Sequence, residues 1–321
     1  MAGPYSPDLQ IWGVAKETVP GTAVAPTNYP KLETFSPKII LGDAMDQSIR
    51  ADMADVHGTQ QTTAHVEIDF TGKVAPDDLG YFLVNLFGAD AVVGASPPYA
   101  HTFSLLNTGD GQPVTHTWTH FNGLETRRYA GCRVETVTFK YVPSGLVEFS
   151  GKMFATSFAT TAVPTPTYTS IVPVAAWNAT LTLSGSALAA VEFEWTIART
   201  ITPVFTVAGV QAPYKMFAAG DFKSSGKAKV VYDATTVFTT VYLAGTYAPI
   251  VANFQTGATV TIVQMQLTST QAYFANGVIA PGSTFMELDL DWTAQSNATD
   301  AGASGGAAPV KAVVQNATAT Y

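Results

Sequence analysis

Charge is scarce in this sequence. Of its 321 residues, 12% are Asp, Glu, Lys or Arg, against about a quarter in an ordinary soluble domain. Cysteine is nearly absent. Cys132 stands alone, which excludes an intrachain disulfide framework and a thiolate zinc cluster. Clustered cations are missing too: net charge is −8 and pI about 5.0, the wrong balance for gripping phosphates. No Walker or dinucleotide glycine loop is present. The longest uncharged stretch, Met153–Val191, is interrupted by Pro164, Pro166 and Pro173 and by many threonines and serines, so it is no membrane span. The opening Met-Ala-Gly-Pro-Tyr-Ser-Pro-Asp carries neither the basic nor the apolar region of a secretory leader, which predicts a cytoplasmically made chain.

With 47% hydrophobic residues the chain is too apolar for disorder. It also lacks the repulsion that keeps copies of a solitary protein apart, which predicts surface buried against other subunits. Threonine is abundant (43 residues), and period-2 alternation dominates. Val66–Phe70, Val134–Val142, Leu146–Phe154, Ala179–Leu183, Val191–Ile197, Thr259–Leu267 and Phe285–Trp292 read as half-buried strands. Two segments break the pattern. Leu79, Phe82, Leu83, Leu86 and Phe87 recur at helical spacing, after Asp77 and Asp78 and before Gly88, predicting a helix near 77–87. Val237, Phe238, Val241 and Tyr242 repeat the arrangement between Asp233, as N-cap, and Gly245, predicting a helix near 234–244.

Each predicted helix follows a strand and precedes others, so the pattern implies a duplicated β–α–β–β unit. The expected division is a first β domain at 1–160, a linker at 161–178 and a second β domain at 179–321 that ends in a strand. A long polar loop is expected at 34–63, containing Gly42, Asp43, Asp46, Arg50, Asp52, Asp55 and His57; a loop of that length serves function or interaction. The Gly/Ala/Ser-rich run 296–309 is expected to be mobile.

Candidate chemistry does not assemble. Gly302-Ala-Ser-Gly-Gly306 matches the G-x-S-x-G elbow but lacks its flanking strand and helix. His116 and His120 sit on a strand-like Thr-Trp-Thr segment, where residues four apart lie about 13 Å from each other and cannot share a metal. Acids recur on alternate strand positions: Glu67 and Asp69, Glu192 and Glu194, then Glu287, Asp289 and Asp291. Each set shares one strand face, either a plain solvated face or a deliberately negative surface. No catalytic constellation, metal site or cofactor is predicted.

Residues 11–29 contain Gly13, Ala15, Lys16, Glu17, Thr18, Gly21, Thr22, Ala25, Pro26 and Thr27 in the order G-x-A-K-E-T-x-x-G-T-x-x-A-P-T. This resembles the opening of tail tube proteins from long, flexible-tailed bacteriophages, as do His101-Thr-Phe103 and Tyr129-Ala-Gly131 farther on. The resemblance implies a mainly β fold, a sandwich or barrel with a flanking helix, here duplicated. It implies a structural, non-enzymatic virion protein whose rings stack into the phage tail tube for genome ejection. Three chains per pseudo-sixfold ring are expected, with six as the alternative. Expected partners are other copies, the tail tip or initiator, the tape measure and the tail terminator, with DNA passing unbound and no membrane contact. The seven strand acids would line a negative lumen, and the seven residues of the 34–63 loop would reach the next ring. A carbohydrate-binding sandwich is the rival reading; it would expose aromatic platforms such as Trp118, Trp177 or Trp292.

Overall fold

The computed structural model describes residues 5–321 apart from 142, 234, 236, 257–262 and 283. The first half supplies β1 (Ile11–Lys16), β2 (Thr34–Asp46), β3 (Gly58–Lys73), β4 (Gly88–Val93), β5 (Tyr99–Leu105), β6 (His116–Phe121), β7 (Thr126–Tyr141), β8 (Glu148–Ala155) and β9 (Ser157–Thr160). The second supplies β10 (Ala179–Leu183), β11 (Ser186–Ala187), β12 (Ala190–Ala198), β13 (Ile201–Val204), β14 (Lys215–Ala218), β15 (Lys223–Val231), β16 (Ala248–Thr256), β17 (Val263–Pro281), β18 (Met286–Ala294) and β19 (Lys311–Asn316). The fold is mainly β, as expected, and every pairing is antiparallel.

Two long strands organise the molecule by turning a corner. Residues 127–132 of β7 pair with β6 and β9, whereas 133–141 pair with β8 and β12. The turn passes through Gly131, at φ +66°, where a Cβ would lie 2.3 Å from the Thr156 hydroxyl; only glycine fits both constraints. β17 behaves likewise, pairing with β16 and β19 before its corner and with β18 after it. One limb is thus a continuous ladder in the order β2-β3-β8-β7-β12-β15-β18-β17. Behind it stand β1-β6-β7-β9 and β10-β16-β17-β19-β5-β4.

The apolar residues of the alternation face inward and join the limbs. Phe35 of β2 stacks on Trp118 of β6 at 5.6 Å, and Phe139 of β7 on Phe254 of β16 at 6.2 Å. The first helix, α1 (Pro76–Phe87), forms as its spacing predicts and ends at Gly88 in the left-handed region. It is enclosed on all sides. Phe82 lies 4.6 Å from Phe70 and 5.1 Å from Trp118, and the ring of Tyr321 occupies the space a Cβ at Gly80 would need. Burial raises the Asp78 carboxyl to about 6, against the backbone N–H of Lys31 and its ammonium.

Three expectations change. The segment 34–63 is a hairpin rather than a loop: β2 and β3 pair out to Asp46 opposite Gly58, leaving only 47–57 as its tip. Beyond Leu41 neither face of that hairpin is buried, so ladder hydrogen bonds hold it without an apolar alternation. The second helix is a π-helical segment, Val237–Leu243, starting too late for Asp233 to cap it. Its β-branched residues crowd an α-turn, and the Thr239 hydroxyl bonds back to the Thr235 carbonyl. Finally, the run 296–309 is fastened. Buried Asp300 accepts from the backbone and hydroxyl of Thr270, each at 2.7 Å, and Asn107 donates to the carbonyls of Gly305 and Ala307. Part of the predicted strand Thr259–Leu267 and Val142 of Val134–Val142 lie outside the described residues.

Candidate functional site

The eight-strand ladder hides one face and displays the other. On β12, Phe193, Trp195 and Ile197 point into the core, so Glu192, Glu194 and Thr196 point out. The same parity brings all seven strand acids, Glu67, Asp69, Glu192, Glu194, Glu287, Asp289 and Asp291, onto this single outer face. They do not stand alone there.

The register lays lysines between them. Reading straight across the strands, Lys73 of β3 lies opposite Glu148, Glu148 opposite Lys140, Lys140 opposite Glu194, Glu194 opposite Lys227, and Lys227 opposite Asp291. The signs alternate across six strands and both halves of the chain. Alongside runs a row of hydroxyls: Thr34, Thr71, Ser150, Thr138, Thr196, Ser225 and Thr293 are successive cross-strand neighbours. Thr34 and Thr71 approach to 2.8 Å, and Thr138 and Thr196 to 2.9 Å.

Ion pairs knit the charged positions together. Lys152 sits 2.9 Å from Glu67, Lys140 3.7 Å from Glu192, and Lys229 3.3 Å from Glu287 and 3.8 Å from Asp289. Hydrogen bonding to Glu67 raises the Lys152 pKa, and bonding to Glu287 raises that of Lys229. The face therefore carries the seven acids, Glu148 and, past the β2 bulge, Asp43, while Glu135 in the β7 bulge attracts Lys152. Seven ammonium groups oppose them: Lys38, Lys73, Lys140, Lys152, Lys223, Lys227 and Lys229. The lysines thus interrupt the acids along the register, while carboxylates still outnumber ammonium groups on this face. A cleft of about 360 Å³ opens on this face among Glu192, Glu194, Lys227, Lys229, Asn276, Asp289 and Asp291.

The loop candidates divide. Gly42, Asp43 and Asp46 belong to β2, with a bulge between Gly42 and Asp43. Arg50, Asp52, Asp55 and His57 form the tip, where Arg50 pairs with Asp46, His57 lies 3.6 Å from Asp52, and Gln47 donates to Asp55. Charge alone missed the other feature of the tip. Ile49 and Met53 are fully exposed, with Met45 nearby at 62%; apolar side chains in a segment remote from any core were the available signal.

Other motifs resolve into structural roles. Buried His116 contacts Asn85, and His120 contacts Gln10, so the two histidines serve different neighbours. Ser304 donates its hydroxyl to the Leu105 carbonyl. Cys132 is buried and free, and burial pushes its thiol up. Trp118 and Trp292 lie in the core, leaving Trp177 as the exposed member of the supposed platforms. Glu17 of the N-terminal motif is buried and accepts four hydrogen bonds: from Gly21 N at 2.7 Å, Thr115 Oγ1 at 2.6 Å, Thr117 Oγ1 at 2.7 Å and Gly131 N at 2.8 Å. Neighbouring Lys16 donates to the Tyr321 carbonyl at 2.9 Å. Among the described residues, no helix is long and apolar enough to cross a membrane.

A family model described as phage tail tube protein matches residues 11–319. No curated protein matches the chain.

Proposed function

As the chain belongs to the phage tail tube protein family, a structural family of the virion, we propose that its copies join edge to edge into a ring whose lumen is lined by the polar ladder face, and that rings stack into the tube. Among the described residues, β2 pairs only with β3, and residues 273–281 of β17 pair only with β18. Each such edge offers unpaired N–H and C=O groups to another strand. A cyclic array of copies removes both edges at once. The observation that carries this reading is the single continuous polar face on a ladder open at both ends.

The order β2-β3-β8-β7 in the first half parallels β12-β15-β18-β17 in the second. In both, the strand before the helical segment stands second and the cornering strand last. This supports two tube-type units, 1–160 and 179–321 joined through 161–178, and three chains per pseudo-sixfold ring, with six as the alternative. Glu67, Asp69, Glu192, Glu194, Glu287, Asp289 and Asp291 then face the lumen. Lysines stand between these acids but are outnumbered by carboxylates, so the lining keeps a net negative sign that does not grip phosphates, and the polymer slides over it during ejection. The tip at 47–57 reaches the next ring. The tail tip initiates assembly, the tape measure sets length and the terminator closes the end.

Single cysteines test the lumen assignment, since buried Cys132 gives little background. Asp289→Cys and Trp177→Cys are labelled with a bulky maleimide before and after tube assembly. Position 289 should react in free subunits and become protected in tubes, whereas 177 should react in both. Equal labelling of 289 in tubes and subunits refutes the lumen assignment. Subunits that remain monomeric even when mixed with tail tips refute the ring.

A further inference from the structure

Two buried guanidinium groups meet where the halves of the chain touch. Arg133 lies on the far arm of β7 and Arg199 directly follows β12; each is 4% exposed. Arg199 is partly satisfied, its Nε donating to the Ala219 carbonyl at 2.9 Å and its Nη2 to the Gly111 carbonyl at 2.7 Å. Its Nη1, and both Nε and Nη1 of Arg133, have no partner among the described residues. Burial, then repulsion by Arg199, brings the Arg133 pKa down to about 10.

The available counter-charge is small. Glu17 is near, but its oxygens are already occupied by four donors. Asp110 attracts Arg133 from a distance, and among the described residues no carboxylate forms an ion pair with either arginine. Buried cations without a paired anion are costly. Arg133 also borders a cavity of about 310 Å³, whose wall includes Gly21, Asp110, Gln112 and, at its half-buried rim, Lys215. The Lys215 ammonium lies 5.3 Å from the Phe217 ring centre, which holds a third cation beside the opening.

We propose that this cavity binds one small oxyanion of the phosphate or carboxylate class, with Arg133 as its buried donor and Lys215 as its outer one. A guanidinium suits the role because its planar fork can present two N–H groups to two oxygens. Walls from both halves of the chain enclose the cavity, so a bound anion fastens one half to the other. Asp110 in the same wall restricts the site to a single anionic group.

The test is thermal unfolding of the full chain in chloride, inorganic phosphate and acetate at matched ionic strength. Phosphate or acetate should raise Tm by about 2 °C at ten times its dissociation constant, and the rise should grow with the logarithm of anion concentration. Arg133→Gln should abolish the response. Lys215→Ala, at a half-buried rim position, should weaken the affinity several-fold and serves as the deciding variant if Arg133→Gln does not fold. The better of the two anions identifies the oxyanion geometry. A wild-type Tm indifferent to anion identity overturns the proposal, as does a response that survives in every folded variant.

Discussion

Removing the Glu17 side chain should loosen the N-terminal segment without touching the ladder face. Glu17→Ala strands four donors at once. Gly21 is exposed and can turn to water, but Thr115, Thr117 and Gly131 are buried. Each buried donor left without a partner costs about 1–3 kcal/mol, and bonds to a charged acceptor lie at the upper end. Allowing the two hydroxyls to rotate toward other acceptors, the net loss should be about 3–6 kcal/mol. For a chain of this size that is a Tm decrease of roughly 4–9 °C. Glu17→Gln keeps the shape and one carbonyl oxygen, but turns an NH2 toward the Thr115 hydroxyl and Gly21 N–H. It should cost about half as much. Thermal and urea unfolding of the three proteins measure both numbers. If Glu17→Ala falls within about 1 kcal/mol of wild type, the buried carboxylate is not the anchor of this segment and the reasoning fails.

Three further outcomes are expected. His101 is fully buried, with Nδ1 3.0 Å from Asp90 and Nε2 2.8 Å from the Thr318 carbonyl. Burial lowers its pKa, but these two acceptors raise it further, for a net increase; its stabilisation should be complete below about pH 6.5 and disappear as pH rises through the elevated value, a slope that His101→Gln removes from a pH series of urea midpoints. Lys140→Glu places a third negative charge between Glu148 and Glu194 and should cost about 1–2 kcal/mol in urea unfolding, whereas Lys140→Gln, which removes the cation without adding repulsion, should cost less than half as much; equal losses contradict the alternating row. Replacing 47–57 by Asn-Gly should leave the circular dichroism and Tm of the subunit nearly unchanged while abolishing tubes by electron microscopy. Normal tubes would show that the tip is not an inter-ring contact.

Local signals carried the sequence reading as far as they could. Helix α1 was legible because everything that makes it is contiguous: Pro76 at its start, the Leu79–Phe82–Leu83–Leu86 stripe, and Gly88 at its end. The faces of the strand acids were legible from period-2 alternation. Their neighbours were not, because Lys140 meets Glu194 only through the β7–β12 pairing that joins the halves, and no local pattern encodes that register. The hairpin arms of 34–63 escaped notice for a related reason, since a strand exposed on both faces has no apolar period. The π-helical segment shows β-branched residues overriding a helical spacing. Arg133 and Arg199 gave no warning in the sequence; their burial depends on the cornering of β7.

Strand β19 follows in the chain everything it pairs with, and it lies between β17 of its own half and β5 of the other. Lys16 and Tyr321, bonded to each other, are 305 residues apart. Closing such long loops delays folding, because their entropy must be lost before the contacts form. The subunit should therefore mature slowly and as a whole, with neither half able to finish first. During that interval its strand edges are already exposed, so the rate of folding sets a limit on how fast subunits can accumulate without premature aggregation.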